Sequence, residues 1–215
     1  MISQNKVRIV TLPADLSPNG KYTLAPLVRR NQRSSSLARL YLGRNFAFTG
    51  DPPESFFEFA SIRKFALHGQ LTADLAIDAP LISLTNSLPS GFAENPLPLI
   101  DGITIQLDGP DLVLPECFDF DALSNALLLF IGDEILSIAA AAMTRAGAYT
   151  LRAIRGRFGT ATADHANADE IFILTAADLT PLQHPSFVPT ATCLFKLTVG
   201  MQQLGDVPSF GVNLG

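Results

Sequence analysis

Short runs of alternating apolar and polar residues recur along the chain and predict β-strands. Successive side chains of a strand point to opposite faces, so a strand with one buried face alternates with a period of two. Clusters of proline, glycine and small polar residues separate the runs and indicate turns. The clearest predicted strands are residues 6–12, 100–107, 126–131, 170–174 and 191–199. Residues 126–131 are continuously apolar, which is typical of a strand buried on both faces.

The most patterned stretch is residues 131–174, where a β-hairpin is predicted. Its first arm is residues 134–142, its turn 144–148 and its second arm 149–154. The alanines of the first arm also suit a helix, so periodicity alone leaves both forms open for this segment. The third strand of the stretch is residues 170–174.

Weaker patterns fill the remaining chain. Further extended segments are expected at 22–28, 37–48, 55–59, 62–67 and 112–114, and residues 71–84 fit two strands or one bent strand. The composition of residues 29–36, 50–54 and 88–98 predicts loops. Residues 175–181 fit a turn or one helical turn, and residues 200–215 are expected to form an arm that orders only against a neighbour.

These elements predict a mainly β protein. We expect an antiparallel β-sandwich or a partly open barrel, with long loops rich in proline and glycine and few short helices. Three regions are expected: an N-terminal strand-and-loop region at 1–60, which could be a docking subdomain, a β-rich domain at 61–199 and a C-terminal arm at 200–215.

The composition narrows the class of protein. Only 16% of the 215 residues are charged, whereas soluble domains have about 25%. A surface so poor in charge indicates burial in an assembly. The net charge of −5 argues against nucleic-acid binding, which requires concentrated Lys and Arg. The chain has no apolar run long enough to span a membrane and no signal-peptide pattern at its start, so we expect a cytoplasmic protein or a particle assembled in the cytoplasm.

The chain has two cysteines, Cys117 and Cys193, and three histidines, His68, His165 and His184. Both cysteines lie in apolar surroundings and are expected to be buried thiols without a disulfide. The histidines lack the spacing of metal-binding motifs, so no metal site is expected.

Two roles are considered for His165. It has the chemistry of a general base and has the carboxylates of Asp164, Asp169 and Glu170 close by in sequence. No nucleophile motif accompanies it, however, and a structural hydrogen bond to a backbone carbonyl is favoured. We therefore expect no catalytic residues and no cofactor.

The segment that follows the hairpin has glycines at 156 and 159 and arginines at 155 and 157. We expect the glycines to meet the conformational demand of a tight corner, because a phosphate-binding loop needs further glycines and a following helix. Arg155 is expected to pair with a carboxylate, of which Asp133, Glu134 and Asp169 are candidates, or with carbonyls at strand ends. Arg157 fits either such a pair or an exposed position.

The order of features around this corner resembles a known family. A pattern of spaced residues follows Gly132-Asp133-Glu134 and ends before the strand at 170–173. Its matching residues are Tyr149, Leu151, Arg155, Gly156, Gly159, Thr160 and His165. The pattern is similar to that of tail-tip or baseplate hub proteins of tailed bacteriophages, the J-like family shared with gene-transfer-agent particles. A further likeness begins upstream, so that the resemblance covers residues 65–174.

The resemblance implies a structural protein of the virion that makes contacts in the phage tail and catalyses no reaction. Its expected partners are other tail proteins and copies of itself, as a trimer, and it would assemble in the host cytoplasm. Proteins of this family are usually far longer than 215 residues, so a short relative, a split homologue or a fragment is expected. The alternative is a carbohydrate-binding or cell-wall-active tail accessory module with a β-sandwich fold.

Overall fold

The structure is a computed structural model. It describes residues 6–11, 22–27, 38–43, 55–62, 66–82, 99–117, 122, 124–182, 192–199 and 201–213. The loops expected at 29–36, 50–54 and 88–98, and His184, lie outside the described residues. Within the described ranges, no helix has the length and the apolar composition needed to cross a membrane.

The prediction of a mainly β, antiparallel protein is confirmed, with 56% of residues in strands. The described strands, in chain order, are β1 (Lys6–Thr11), β2 (Tyr22–Leu27), β3 (Ala38–Gly43), β4 (Phe56–Ile62), β5 (Leu67–Leu71), β6 (Leu81–Ile82), β7 (Leu99–Leu107), β8 (Leu127–Ile131), β9 (Glu134–Arg145), β10 (Ala148–Ile154), β11 (Glu170–Thr175), β12 (Thr180–Leu182), β13 (Thr192–Val199) and β14 (Ser209–Asn213).

The chain divides into two units. The first unit combines Met1–Ala66 with Asp178–Gly215, and the second is Leu67–Ala177. This division differs from the regions expected at 1–60, 61–199 and 200–215, because the chain returns to its first unit after β11. There β13 pairs with β3, and β12 with β2. No local pattern encodes pairing between strands so far apart in sequence.

The first unit contains two antiparallel sheets. One has the strand order β1-β2-β12 and the other the order β14-β13-β3-β4. The expectation of a C-terminal arm over 200–215 is wrong, because β14 pairs with β13 from Thr192↔Asn213 to Lys196↔Ser209. Phe210 of β14 stacks on the buried Phe195 of β13, with ring centroids 6.0 Å apart. The segment is thus ordered by pairing and aromatic contact within its own chain.

The second unit is a closed six-stranded barrel. Its strands follow the order β10-β9-β8-β11-β5-β7, and pairing between β7 and β10 closes the ring. Alternate residues of these strands form one buried cluster, which fills the barrel interior. All five residues of β8 are buried, so this strand is covered on both faces as its apolar run predicts. The short strand β6 pairs with the beginning of β7 outside the ring.

The predicted hairpin is confirmed as β9 and β10, which join at Ala146-Gly147. The helical alternative for the first arm does not occur, although alanine has the highest helix propensity. Pairing decides the form: residues 134–137 of β9 pair with β8, residues 137–145 pair with β10, and the first six residues of the strand are buried. The two neighbours together supply hydrogen-bond partners along the length of β9 while its apolar side chains pack inward.

Two segments that were predicted to be extended strands have a different structure. Residues 112–114 form no regular strand, because Leu112 and Leu114 instead bind the hydroxyl of Tyr149 through their main chain. Within 71–84, the described residues contain the end of β5, an isolated bridge at Leu75, and β6. The residues between β5 and β6 form a loop that contains this bridge, and they continue neither strand.

The two cysteines form no disulfide, as expected. Cys193 is buried in β13, and burial raises the pKa of its thiol. Cys117 is half-buried, so the expectation that both thiols are buried holds fully for Cys193 alone.

Candidate functional site

The residues of the predicted corner meet around one buried carboxylate, that of Glu134. Glu134 begins β9 directly after the turn Gly132-Asp133, and its side chain is 0% exposed. It shares a strand face with Leu136 and Ile138, which belong to the barrel core. The carboxylate therefore lies at one end of the barrel interior, where only hydrogen bonds and ion pairs can compensate its lost hydration.

Arg155 supplies the largest share of this compensation. Its Nε donates to Oε1 of Glu134 at 2.7 Å and its Nη2 to Oε2 at 2.5 Å, which is a bidentate pair. Nη1 donates to the carbonyl of Ala76 at 2.7 Å, and Nη2 also donates to the carbonyl of Ala163. The prediction that Arg155 pairs with a carboxylate is confirmed, with Glu134 as the carboxylate, whereas the two carbonyls belong to loop residues and not to strand ends.

His165 contacts the same carboxylate. Its Nε2 lies 2.8 Å from Oε2 of Glu134, and its Nδ1 lies 3.9 Å from Asp169. The main chain of His165 forms a two-way bridge with Leu75, with N···O distances of 2.8 and 2.9 Å. The expected side-chain hydrogen bond to a backbone carbonyl is therefore wrong, because the fold places a buried carboxylate next to the ring.

The other acids near His165 in sequence have different partners. Asp164 accepts a hydrogen bond from the N–H of Ile77 at 2.6 Å, and Glu170 contacts His68 at 2.8 Å. Asp169 accepts from the N–H of Ala166. Neighbours in the sequence are thus not the principal partners of the His165 ring.

Burial and hydrogen bonding act on Glu134 in opposite directions. Burial by itself raises its pKa, whereas hydrogen bonds from Arg155, His165 and the N–H of Ala163, together with the charge of Arg155, lower it. The hydrogen bonds and the charge of Arg155 outweigh the effect of burial, so the pKa of Glu134 lies below its ordinary value. The N–H of Gly156 also lies within 3.3 Å of Oε1. Glu134 is therefore ionised at neutral pH.

The corner between β10 and residue 160 has an unusual backbone. Gly156 has a φ of 61° and Gly159 a φ of 73°, which confirms that both glycines adopt left-handed conformations. Thr160 fixes the corner to the barrel, because its Oγ1 accepts from the N–H of Ile135 and donates to the carbonyl of Arg157. The glycines thus let the chain turn sharply enough to bring Ala163 and His165 back to Glu134.

Tyr149 and Leu151 of the same motif lie elsewhere. Both are in β10 and face the barrel interior, where Leu151 is fully buried. The Tyr149 hydroxyl accepts from the N–H of Leu114 at 3.2 Å and donates to the carbonyl of Leu112 at 3.4 Å. The motif therefore has two parts, one in the core and one around Glu134.

A second buried histidine is His68, and the sequence around it contains no motif that marks it as a functional residue. Its Nδ1 lies 2.5 Å from Asp108 and its Nε2 lies 2.8 Å from Glu170, while Phe172 packs edge-on at 4.9 Å between centroids. These partners are 40 and 102 residues away in the chain, so no local spacing signals the cluster. It ties β5 to the end of β7 and to the start of β11.

Arg157 adopts neither of the positions considered for it. Its Nε donates to the side-chain oxygen of Asn125 at 2.7 Å. The side chain is half-buried, and burial lowers the pKa of its guanidinium. Its hydrogen-bond partner is a neutral amide and not a carboxylate.

The arrangement around Glu134 is suited to holding segments together. Donors from two segments, Arg155 with Gly156 and Ala163 with His165, converge on its two carboxylate oxygens, so accepting a proton would disrupt these contacts instead of relaying it onward. Among the described residues, no group of three His, Cys, Asp or Glu side chains is placed to hold a metal ion. No family model matches the chain, and no curated protein matches its sequence.

Proposed function

We propose that the chain is a structural protein of a bacteriophage tail, in the tail tip or the baseplate hub, and that it acts through protein–protein contacts. The likeness of residues 65–174 to tail-tip and hub proteins is the observation that carries this proposal. In the proposal the chain contacts other tail proteins and copies of itself, as a trimer, within the virion.

The positions of the motif residues support a structural role. Arg155, Gly156, Thr160 and His165 all contribute to holding the end of the barrel around Glu134. A buried acid whose oxygens are occupied by donors fixes the geometry of the segments that it joins and is a poor proton acceptor. The motif thus serves the architecture of the barrel, which a component of a tail assembly requires.

Deletion of the coding sequence from the phage genome tests the proposal. We expect particles with absent or incomplete tails in electron micrographs, and rescue by the wild-type chain supplied in trans. Purified tails should contain the chain by mass spectrometry. Normal tails that lack the chain would contradict the proposal.

A matched pair of variants sharpens the rescue experiment. The Arg155→Ala chain should fail to rescue because the barrel end loses its tie, whereas Arg152→Ala removes a half-buried arginine of the same hairpin that is paired with the exposed Asp101, and should rescue. Specific glycan binding or hydrolysis of cell-wall polymer by the purified chain would instead favour the accessory-module alternative.

A further inference from the structure

Arg157 carries a charge that has no acidic partner in the described part of the chain. The one hydrogen bond of its guanidinium to the described residues joins Nε to Oδ1 of Asn125, at 2.7 Å. The two terminal nitrogens of the guanidinium have no acceptor among the described residues, and neither is a fully buried atom. They are therefore accessible to an acceptor from outside the chain.

Arg155 lies two residues earlier in the same corner, and its guanidinium has both an acidic partner and carbonyl acceptors. Its guanidinium makes a bidentate pair with Glu134 and reaches two backbone carbonyls. Arg157 is half-buried without such compensation, and burial lowers the pKa of its guanidinium. Removing water from a cation without providing an acid is unfavourable for the isolated chain. A feature that costs stability in this way is expected where function requires it.

The backbone around Arg157 is held in conformations that ordinary residues avoid. Phe158, its neighbour, has a φ of 56°, and Asn125, its hydrogen-bond partner, has a φ of 54°. Thr160 fixes the carbonyl of Arg157 by both its N–H and its hydroxyl. Non-glycine residues keep a left-handed backbone only where the surrounding structure enforces it, and such residues cluster at binding sites. The backbone that carries Arg157 is thus held in place, and the hydrogen bond from Nε to Asn125 anchors its guanidinium.

We infer that Arg157 is a docking point for a carboxylate side chain of a partner polypeptide. With Nε held by Asn125, the two terminal nitrogens remain to meet the two oxygens of a carboxylate. The net charge of −5 makes a polyanionic nucleic acid an unfavourable ligand. The inference rests on the proposed function, because the partner would be another protein subunit of the assembly.

The stability of two variants gives the first test. We expect Arg157→Leu to unfold at a urea concentration no lower than the wild type, because it removes a half-buried charge that has no acidic partner among the described residues. Arg155→Leu should unfold at a clearly lower concentration, because it leaves the Glu134 carboxylate buried alone. A loss in Arg157→Leu as large as that in Arg155→Leu would show that Arg157 serves the fold, and would overturn the inference.

A titration of the full chain followed by NMR gives the second test. The probes are tetraglutamate with blocked ends, inorganic phosphate and sodium chloride at matched ionic strength. The readout is the backbone amides of Phe158, Gly159 and Thr160. We expect saturable shifts with tetraglutamate beyond those with chloride. They should disappear in Arg157→Gln and persist in Arg152→Gln.

The outcomes separate the possible failures. Saturation by phosphate at lower concentration than by tetraglutamate would assign a phosphate ligand and overturn the carboxylate assignment. Shifts no larger than those with chloride would overturn the site itself. If carboxylate binding is found but the chain is absent from purified tails, the docking point stands and the proposed function fails.

Discussion

Arg155 and Glu134 form a bidentate ion pair in which both side chains are withdrawn from water, with exposures of 7% and 0%. The pair joins the first residue of β9 to the residue after β10, and it also reaches the segments of Ala76 and Ala163. Its geometry specifies how four segments meet at the barrel end. The net stability of such a pair is modest, because desolvation offsets much of the attraction, but losing one partner is costly.

Replacing Arg155 with alanine should therefore destabilise the chain by about 3–5 kcal/mol, because the Glu134 carboxylate is left buried without its main partner. The measurement is the free energy of unfolding in urea. The control is Arg152→Ala, whose arginine is 32% exposed and lies 3.6 Å from Asp101. That variant should change the free energy by about 1 kcal/mol or less. Equal unfolding midpoints for the two variants would contradict the structural role of Arg155.

Stability should depend on pH through Glu134. Its folded-state pKa is lowered, so its stabilising contribution is complete above the unfolded-state pKa of about 4.3 and is lost as pH falls through the folded value. We expect the free energy of unfolding to decrease on acidification below about pH 4.3, and to decrease less in Glu134→Gln than in the wild type. A carbon-detected NMR titration gives a direct check. A midpoint for Glu134 above that of an unfolded glutamate would refute the prediction.

Three glycine-to-alanine variants should differ in cost for separate reasons. Gly69→Ala should be the most damaging, because its Cβ would lie 2.3 Å from the backbone oxygen of Gln106, between β5 and β7. Gly156→Ala combines a φ of +61° with a contact of 3.1 Å to the carbonyl of Thr160. The added Cβ of Gly159→Ala would meet no atom within 4 Å. This variant should therefore lose only about 1–2 kcal/mol of stability, which is the conformational cost of its φ of +73°. Thermal unfolding measures the order, and a reversal of Gly156 and Gly159 would contradict it.

Cys193 should react slowly with thiol reagents in the native state. Burial limits access to its sulfur and raises its pKa, so little thiolate is present at neutral pH. In the Cys117→Ser variant, colour development with a disulfide reagent should be slow in buffer and fast in guanidinium chloride. Equal rates under both conditions would show that the thiol is accessible in the fold.

Local pattern was sufficient for most strands of the barrel. The alternation of Ile103, Ile105 and Leu107 and the apolar run before Ile131 each predicted a strand that the structure contains. The glycines at 156 and 159 predicted left-handed backbone at the corner. Each of these features is determined by the type and spacing of residues within a few positions of one another in the chain.

The sequence by itself determined the β class, the turn and second arm of the central hairpin, and the need of Arg155 for an acidic or carbonyl partner, but it left the first arm open between strand and helix. Only the tertiary structure decided which acid it was, that β7 pairs with β10 to close the barrel, and that His68 lies between Asp108 and Glu170. It also decided that residues 209–213 pair with β13 instead of extending as an arm. The reason is physical: alternation fixes the face on which a side chain lies, whereas strand pairing depends on burial and hydrogen bonding between segments far apart in the chain.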